Sequence, residues 1–260
     1  MKSLENKKVM ISGGGSGIGH AIVTELYKEG VKDFAVIGRS LEKLEALKKD
    51  FPNATFELYS GDIAKLTDIR EFVELVEKKW GSADILINNA GVVSAGAFST
   101  ISDDDIISQV NINVTGLILM TKYSLPLLKK SKEAALINVS SGLALISMPF
   151  YAPYAATKAA VKAFSESIRR ELKDFPIQVT TLYPTATDTP MMTKTKLEGM
   201  HSPEMVAQKL IAGIKNGDID VVLSDMDNVI QNRENPVAFD KKVEGMYDAI
   251  KKRTEEHRSM

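Results

Sequence analysis

The sequence predicts an α/β fold, a doubly wound parallel sheet of about seven strands with helices on both faces. Three observations carry this. Short apolar runs alternate with longer segments whose apolar residues recur at helical spacing. The runs are apolar at nearly every position, as in Ala35-Val36-Ile37, which is the pattern of strands buried on both sides. Strands that alternate with helices pair in parallel, because each helix carries the chain back across the sheet.

The elements follow in order. Residues 9–12 form a first strand after two lysines, and 18–28 a helix with Ile18, Ile22, Val23 and Leu26 at helical spacing. A strand at 34–38 leads to a helix over 41–49, with Leu41, Leu44 and Leu47 on one side. A strand at 56–60 leads to a helix over 69–80, marked by Ile69, Phe72, Val73, Val76 and Trp80. Further strands are expected at 85–88, 136–140, 179–183 and 221–224. Residues 224–236 are polar, the composition of a loop with a short helix. Beyond them Phe239, Val243, Met246, Tyr247 and Ile250 form one helical stripe in a charged segment. Residues 225–260 are therefore expected as a helical tail, packed on its own domain or on a partner subunit. With 260 residues and no internal repeat, the chain fits a single domain, 1–260.

Composition narrows the function. Thirty-three basic residues against 34 acidic ones leave a net charge of −1, without the basic excess of a nucleic-acid binder. Without cysteine there are no disulfides or thiolate ligands, which is compatible with a reducing cytosol. Three dispersed histidines, His20, His201 and His257, suggest no metal site. No apolar run approaches the ~18 residues of a membrane span, and the polar start lacks a signal-peptide core. A soluble, cytoplasmic protein that binds no membrane is expected.

Between the first strand and first helix lies Ser12-Gly13-Gly14-Gly15-Ser16-Gly17-Ile18-Gly19. Glycines there let the backbone turn sharply and approach a pyrophosphate, while the helix N-terminus offers free N–H groups and a positive dipole end. The spacing is G-x-x-x-G-x-G, at Gly13, Gly17 and Gly19; G-x-G-x-x-G does not fit, because its last position falls on His20. The place of the turn favours a Rossmann-type dinucleotide site over a mere tight connection. After the second strand, Ile37-Gly38-Arg39-Ser40 has no carboxylate for a ribose 2′-hydroxyl. Arg39 and Ser40 suit a 2′-phosphate, so NADP(H) is favoured and NAD(H) stays open; the alternative is that Arg39 is a solvated surface residue. Asp62, before Ile63, has two readings: acceptor for the adenine amino group, or cap of the next helix.

Tyr154 and Lys158 stand four apart, so in a helix they share a face. Pro153 suits the first turn of that helix. A free phenol titrates near a pKa of about 10. A neighbouring ammonium favours the phenolate and so lowers that value, making a proton shuttle between phenol and a carbonyl or alcohol oxygen. Alone, the pair is weak. Ser141, at the end of the strand ending in Val139, would sit at the carboxyl edge of the sheet, where α/β ligands bind, or it would simply cap the strand end.

With these motifs together, the chain resembles the compact branch of the short-chain dehydrogenase/reductase family over about residues 7 to 224. The cofactor turn matches, with Ser12 where threonine is usual. Asn88-Asn89-Ala90-Gly91 matches the family's N-N-A-G after the fourth strand. Asn113-Val114-Thr115-Gly116 matches N-x-x-G, and Ser141 lies at the family's interval before Tyr154. The resemblance implies Tyr154 as general acid/base. It implies Lys158 as the residue that lowers the Tyr154 pKa and holds the nicotinamide ribose, and Ser141 as the one that polarises the substrate oxygen. Asn113 would fix a water joined to Lys158; Asn111 is less suited by the glycine spacing. Gly13, Gly15, Ser16, Gly17, Ile18 and Gly19 would cradle the cofactor phosphates. Asn89, Ala90 and Gly91 would meet its adenosine half or ribose, with Ile63 beside Asp62. Pro184 and Thr189 would lie by the nicotinamide, Thr189 on the carboxamide or phosphates. Asn88 reads more simply as a loop stabiliser.

Two departures stand out. Pro184 is followed by Thr185 where the family has glycine, so this loop is expected to differ. The C-terminus also lacks the V-D-G-G ending of many acyl-carrier-protein reductases, which argues against that enzyme and its usual tetramer packing.

Loops 143–151 and 190–201 are the candidate substrate walls, with Leu143, Leu145, Met148, Phe150, Tyr151, Met191 and Met192; several of these equally suit a core or a subunit contact. The expectation is an oxidoreductase that moves a hydride between NADP(H) or NAD(H) and a small-molecule alcohol or carbonyl, reducing a hydrophobic ketone or aldehyde, as a homodimer or homotetramer. The alternative is a catalytically silent cofactor-binding sensor or scaffold. The intact Tyr154, Lys158, Ser141 and Asn113 set disfavours it. A sugar-nucleotide epimerase is disfavoured by the glycine spacing and the length.

Overall fold

The computed structural model describes residues 1–192, 199–255 and 257. Its centre is a fully parallel sheet of seven strands among the described residues, in the order β3-β2-β1-β4-β5-β6-β7. The strands are β1 (Lys8–Ser12), β2 (Asp33–Gly38), β3 (Thr55–Ser60), β4 (Ile85–Asn88), β5 (Ala134–Val139), β6 (Ile177–Tyr183) and β7 (Asp220–Val222). The fold class expected from the sequence is the one found.

Strand alternation divides the core in two. Val9 and Ile11 of β1, Phe34 and Val36 of β2, and Ile85 and Ile87 of β4 face one side. They pack on Ile22 and Leu26 of α1 (Gly17–Lys28), Leu44 and Leu47 of α2 (Leu41–Asp50), and Val206 and Leu210 of α7 (Pro203–Asn216). The residues between them, Met10, Ala35, Ile37 and Leu86, face the other side. There they meet Ile69, Phe72 and Val76 of α3 (Leu66–Trp80) and Met120 and Leu127 of α5 (Leu117–Leu128). Period-two alternation across a sheet covered on both faces explains why the strands read as continuous apolar runs.

The strand order reverses between β1 and β4, which pair side by side with Ser12 opposite Asn88. A reversal opens a crevice at the carboxyl ends of the strands, where open α/β sheets bind ligands. Asn88 holds this edge together. Its Nδ2 donates to Thr121 Oγ1 and to Asn138 Oδ1, both at 2.9 Å, so it ties β4 to β5 and α5, a structural role.

Two helices frame the crevice. From Asp103 the chain runs helically through α4 (Asp103–Val110) into α5, with a π-helical turn at Asn111–Gly116 between them. α6 (Ala152–Glu171) starts after Tyr151, with Pro153 in its first turn as expected.

The tail corrects the sequence reading. Phe239 through Ile250 do not form one stripe on one helix. The segment folds as α8 (Met226–Glu234), α9 (Pro236–Glu244) and α10 (Tyr247–Thr254). Asn235 caps the second of these by accepting the Ala238 N–H at 3.2 Å, and Pro236 starts it, so the preceding helix cannot continue. The chain breaks again at Gly245, and of the five stripe residues Ile250 alone is buried. Residues 256 and 258–260 of the expected tail lie outside the described residues.

Candidate active site

A cavity of about 550 Å³ opens in the crevice at the carboxyl edge of the sheet. Its floor is the turn after β1. Gly13 and Gly17 take left-handed backbone, with φ of 71° and 54°. At Gly19 a Cβ would stand 2.1 Å from the Gly13 carbonyl oxygen and 2.6 Å from Asn89 Nδ2, so no side chain fits there. Asn89 Nδ2 donates to that same carbonyl at 2.9 Å. The Ser12 hydroxyl accepts the Asn89 and Ala90 N–H groups, each at 3.1 Å, and so does the work of the more usual threonine. The turn is thus braced from β4, and the first turn of α1 points its N–H groups into the cavity. This cradle, built mostly of glycine and facing a helix N-terminus, fits a dinucleotide pyrophosphate.

The expected cofactor residues converge. Gly13, Gly15, Ser16, Gly17, Ile18 and Gly19 line the cavity. Arg39, Ser40, Asp62 and Ile63 line it at the end beyond β2 and β3. Asn89, Ala90 and Gly91, with Pro184 and Thr189, line it toward the middle, where Thr189 packs against Gly17. Arg39 is exposed, and the Ser40 hydroxyl caps α2 by accepting the Lys43 N–H at 3.4 Å. Asp62 Oδ1 accepts the Ala64 N–H at 2.9 Å in a local turn; the helix cap reading fails, because α3 begins after Lys65. The sequence reading missed Lys43, which also lines this end. Its signal was a basic residue in the first turn of a helix, where the dipole favours acids.

Tyr154, Lys158 and Ser141 line the same cavity. α6 sets the first two on one face, with Lys158 Nζ 5.6 Å from the Tyr154 ring centre. The ammonium is buried and donates to the Val139 carbonyl at 3.0 Å. Ser141 follows β5 and accepts the Leu143 N–H at 3.2 Å, which aims its hydroxyl from the strand end. The Ser140 hydroxyl donates to the Lys158 carbonyl at 2.8 Å and locks α6 to this edge.

The electrostatics correct the expected cause of tyrosine activation. Burial pushes the Tyr154 phenol up to about 12; the Ser141 hydroxyl pulls the other way, and the neighbouring Tyr151 adds to the rise. Burial pulls Lys158 down to about 8. Desolvation outweighs the Ser141 hydrogen bond, so at neutral pH the phenol keeps its proton.

Asn113 is not in the cavity wall. It sits in the π-helical turn, and its side chain is fully engaged. Oδ1 accepts the Val92 N–H at 2.9 Å, while Nδ2 donates to the Val92 carbonyl at 2.9 Å and to Thr157 Oγ1 at 3.1 Å. It ties the loop after β4 to the helix that carries Tyr154 and Lys158. Gly91 lies between them: a Cβ there would touch Asn113 Oδ1 at 3.2 Å and Lys158 Nζ at 3.4 Å.

The Thr185 departure is absorbed by hydrogen bonding. Thr185 Oγ1 lies 3.2 Å from His201 Nδ1, and His201 exchanges backbone bonds with Ala186 and Asp188 at 2.9 Å each. Among the expected wall residues, Leu143, Met148, Tyr151, Met191 and Met192 line the cavity. Leu145 packs instead with Tyr183 and Val229, and Phe150 stacks on Tyr247 with ring centres 4.9 Å apart. Residues 193–198 of the expected 190–201 wall lie outside the described residues. Two cavity residues, Arg253 and His257, come from the tail and had no local sequence signal.

A parallel sheet with a glycine-rich phosphate cradle, opening on a tyrosine and a lysine one helical turn apart, defines a dinucleotide-dependent oxidoreductase. The model of the short chain dehydrogenase family matches residues 7–199, and the chain belongs to that family of NAD(P)-dependent oxidoreductases. It is 30% identical over 246 residues to a 3-ketodihydrosphingosine reductase of Dictyostelium discoideum, spanning 83% of this chain and 74% of that one. A 3-ketoacyl-(acyl-carrier-protein) reductase of Brucella melitensis, solved with NADH, is 27% identical with a TM-score of 0.76, over 85% of this chain and 98% of that one. A short-chain dehydrogenase of Burkholderia cenocepacia, solved with NADP, shares the fold at 22% identity and a TM-score of 0.80, over 93% and 98% of the two chains.

Proposed function

We propose that this protein reduces a hydrophobic ketone or aldehyde with NADPH, through one catalytic domain spanning 1–260, and runs the reverse oxidation at higher pH. The observation that carries the reading is that Tyr154, Ser141 and Lys158 share one cavity with the phosphate cradle of α1. When bound, the nicotinamide cofactor supplies the hydride.

The chain's own residues do the rest. The α1 cradle holds the pyrophosphate. Arg39, Ser40 and Lys43 hold the 2′-phosphate, since no carboxylate competes for the ribose there. Asp62 and Ile63 border the adenine, and Asn89, Ala90 and Gly91 the adenosine half or its ribose. Pro184 and Thr189 flank the nicotinamide. The Ser141 hydroxyl orients the substrate oxygen, and Tyr154 gives that oxygen its proton. A phenol held protonated by burial is in the form reduction requires. Lys158 holds the nicotinamide ribose hydroxyls. Asn113 acts through Val92 and Thr157, as a positioning residue. The apolar wall of Leu143, Ile146, Met148 and Met191 suits a hydrophobic substrate. By resemblance, the working assembly is a homodimer or homotetramer in the cytoplasm.

The test is oxidation of NADPH and NADH with a panel of ketones and aldehydes, beside Tyr154→Phe. Loss of the phenolic proton is expected to lower kcat/KM by about 10²- to 10⁴-fold. Unchanged activity in Tyr154→Phe refutes the mechanism, and a preference for NADH refutes the role of Arg39.

A further inference from the structure

The tail brings a cation to the substrate end of the cavity. Ala95 N–H donates to the His257 carbonyl at 3.0 Å, and Thr254 is fully buried. The Phe150–Tyr247 ring contact pins α10 to the corner before α6. Phe150 holds a left-handed backbone there, with φ of 70°, which a phenylalanine rarely adopts. The result sets Arg253 against Tyr151, its guanidinium carbon 5.9 Å from the ring centre.

Among the described residues Arg253 has no counter-charge. No carboxylate among the described residues lies within ion-pair distance of it, and its Nε is buried with no hydrogen-bond partner. Its ring neighbours supply no charge: Tyr151 accepts a hydrogen bond from Arg253 and is hydrogen-bonded to His257, but both are uncharged groups. His257 Nε2–H donates to the Met191 carbonyl at 3.1 Å. That leaves Nδ1 bare, and it accepts the Tyr151 O–H at 2.9 Å. Burial holds the His257 imidazole below its ordinary pKa and the Tyr151 phenol above its own, so both rings are neutral. The cavity surface beside them is apolar: Leu143, Ile146, Met148 and Met191. A ligand entering here meets hydrocarbon and one permanently charged, forked donor.

We propose that Arg253 binds a carboxylate on the substrate, so that the enzyme acts on a hydrophobic oxo acid or its hydroxy acid. The guanidinium fork matches the two oxygens of a carboxylate. Tyr151 is the residue just before α6 and packs in one cluster with Tyr154, so the acid group lies near the carbon being reduced. The cations of the cofactor end, Arg39 and Lys43, stand beyond β2, three strands from β5 and about 14 Å away across the sheet. They do not compete for this charge. The assignment rests on the proposed reductase reading.

The test compares levulinate and benzoylpropionate with their methyl esters, in the wild type, Arg253→Met and Arg253→Lys. The acid-to-ester ratio of kcat/KM is expected at about 10 to 100 in the wild type, carried mainly by KM. It should fall to about one in Arg253→Met and be partly restored in Arg253→Lys. Calorimetric titration of benzoylpropionate into the Tyr154→Phe protein with NADP⁺ reads the anion site without turnover. Arg253-dependent binding there supports the site, even where the catalytic reading fails. Equal treatment of acid and ester in the wild type, or an acid preference untouched in Arg253→Met, overturns the proposal. So does the absence of acid binding in the calorimeter. Tighter binding of phenacylphosphonate than of benzoylpropionate overturns the carboxylate assignment in favour of a phosphoryl group.

Discussion

Lys158 sits at a cost that stability measurements can expose. The residue is 4% exposed, and burial brings its pKa from 10.5 down to about 8. Below about pH 8 the folded protein holds a desolvated cation, while the unfolded chain holds a hydrated one. The shift corresponds to about 3 kcal/mol of destabilisation at neutral pH. Lys158→Met removes that cost but also the donor to Val139, leaving its carbonyl short of a bond, for a loss of about 1 kcal/mol. The variant is therefore expected to be more stable than the wild type by about 2 kcal/mol near pH 7, and inactive. The sign fixes the pH course. Between about pH 8 and 10.5 the unfolded chain binds more protons than the folded one, so wild-type stability from this group rises with pH. The advantage of Lys158→Met should shrink through that window, vanish at about pH 10, and give way to a deficit of about 1 kcal/mol above it. Urea unfolding of both proteins at several pH values measures the difference. A variant less stable at neutral pH, or an advantage independent of pH, would refute the claim that desolvation dominates at Lys158.

Three more outcomes are expected. Gly19→Ala forces a Cβ to 2.1 Å from the Gly13 carbonyl, so the turn must open. Dinucleotide affinity, read by quenching of protein fluorescence, should be lost, with stability down by about 1–3 kcal/mol. Asn113→Ala leaves the Val92 N–H and carbonyl unpaired in a buried site and should cost about 2–4 kcal/mol in chemical denaturation. Because that loosens the loop against α6, kcat should fall while the KM for cofactor holds; a purely structural role would lower only stability. Arg39→Ala should raise the KM for NADPH by about tenfold and leave that for NADH unchanged, which steady-state kinetics with both cofactors will check.

Legibility in the sequence followed the range of the interactions. Strands such as Ala35–Ile37 were readable because burial on both faces leaves no polar position in the run. The Tyr154 and Lys158 pair and the Gly13 to Gly19 turn were readable because helix geometry and glycine backbone act within seven residues. The tail was misread where a stripe was given more weight than its breakers. Pro236 and Gly245 were visible, yet Phe239 and Tyr247 were placed on one helix with Ile250. Burial was unreadable by nature: nothing local told that desolvation would dominate at Tyr154, or that Leu143 would face the cavity and Leu145 the core.

The hardest part to read was the part that sets specificity, and there is a physical reason. The chemistry needs a proton donor and a cofactor cradle at fixed separations, which one helix and one turn can encode. Recognition of the rest of a substrate needs a wall, and this wall is closed from the far end of the chain. Tyr151 meets His257 across 106 residues of sequence. No periodicity connects them; the fold alone brings the tail over the crevice. His257 was set aside at the sequence level as one of three dispersed histidines unsuited to a metal. Its actual work, accepting the Tyr151 hydroxyl and anchoring on Met191, needs no second histidine nearby. The residues of the hydride site therefore lie in local motifs. The substrate wall lies in loops and a tail, which are free of the sheet's register and can change without disturbing the hydride site.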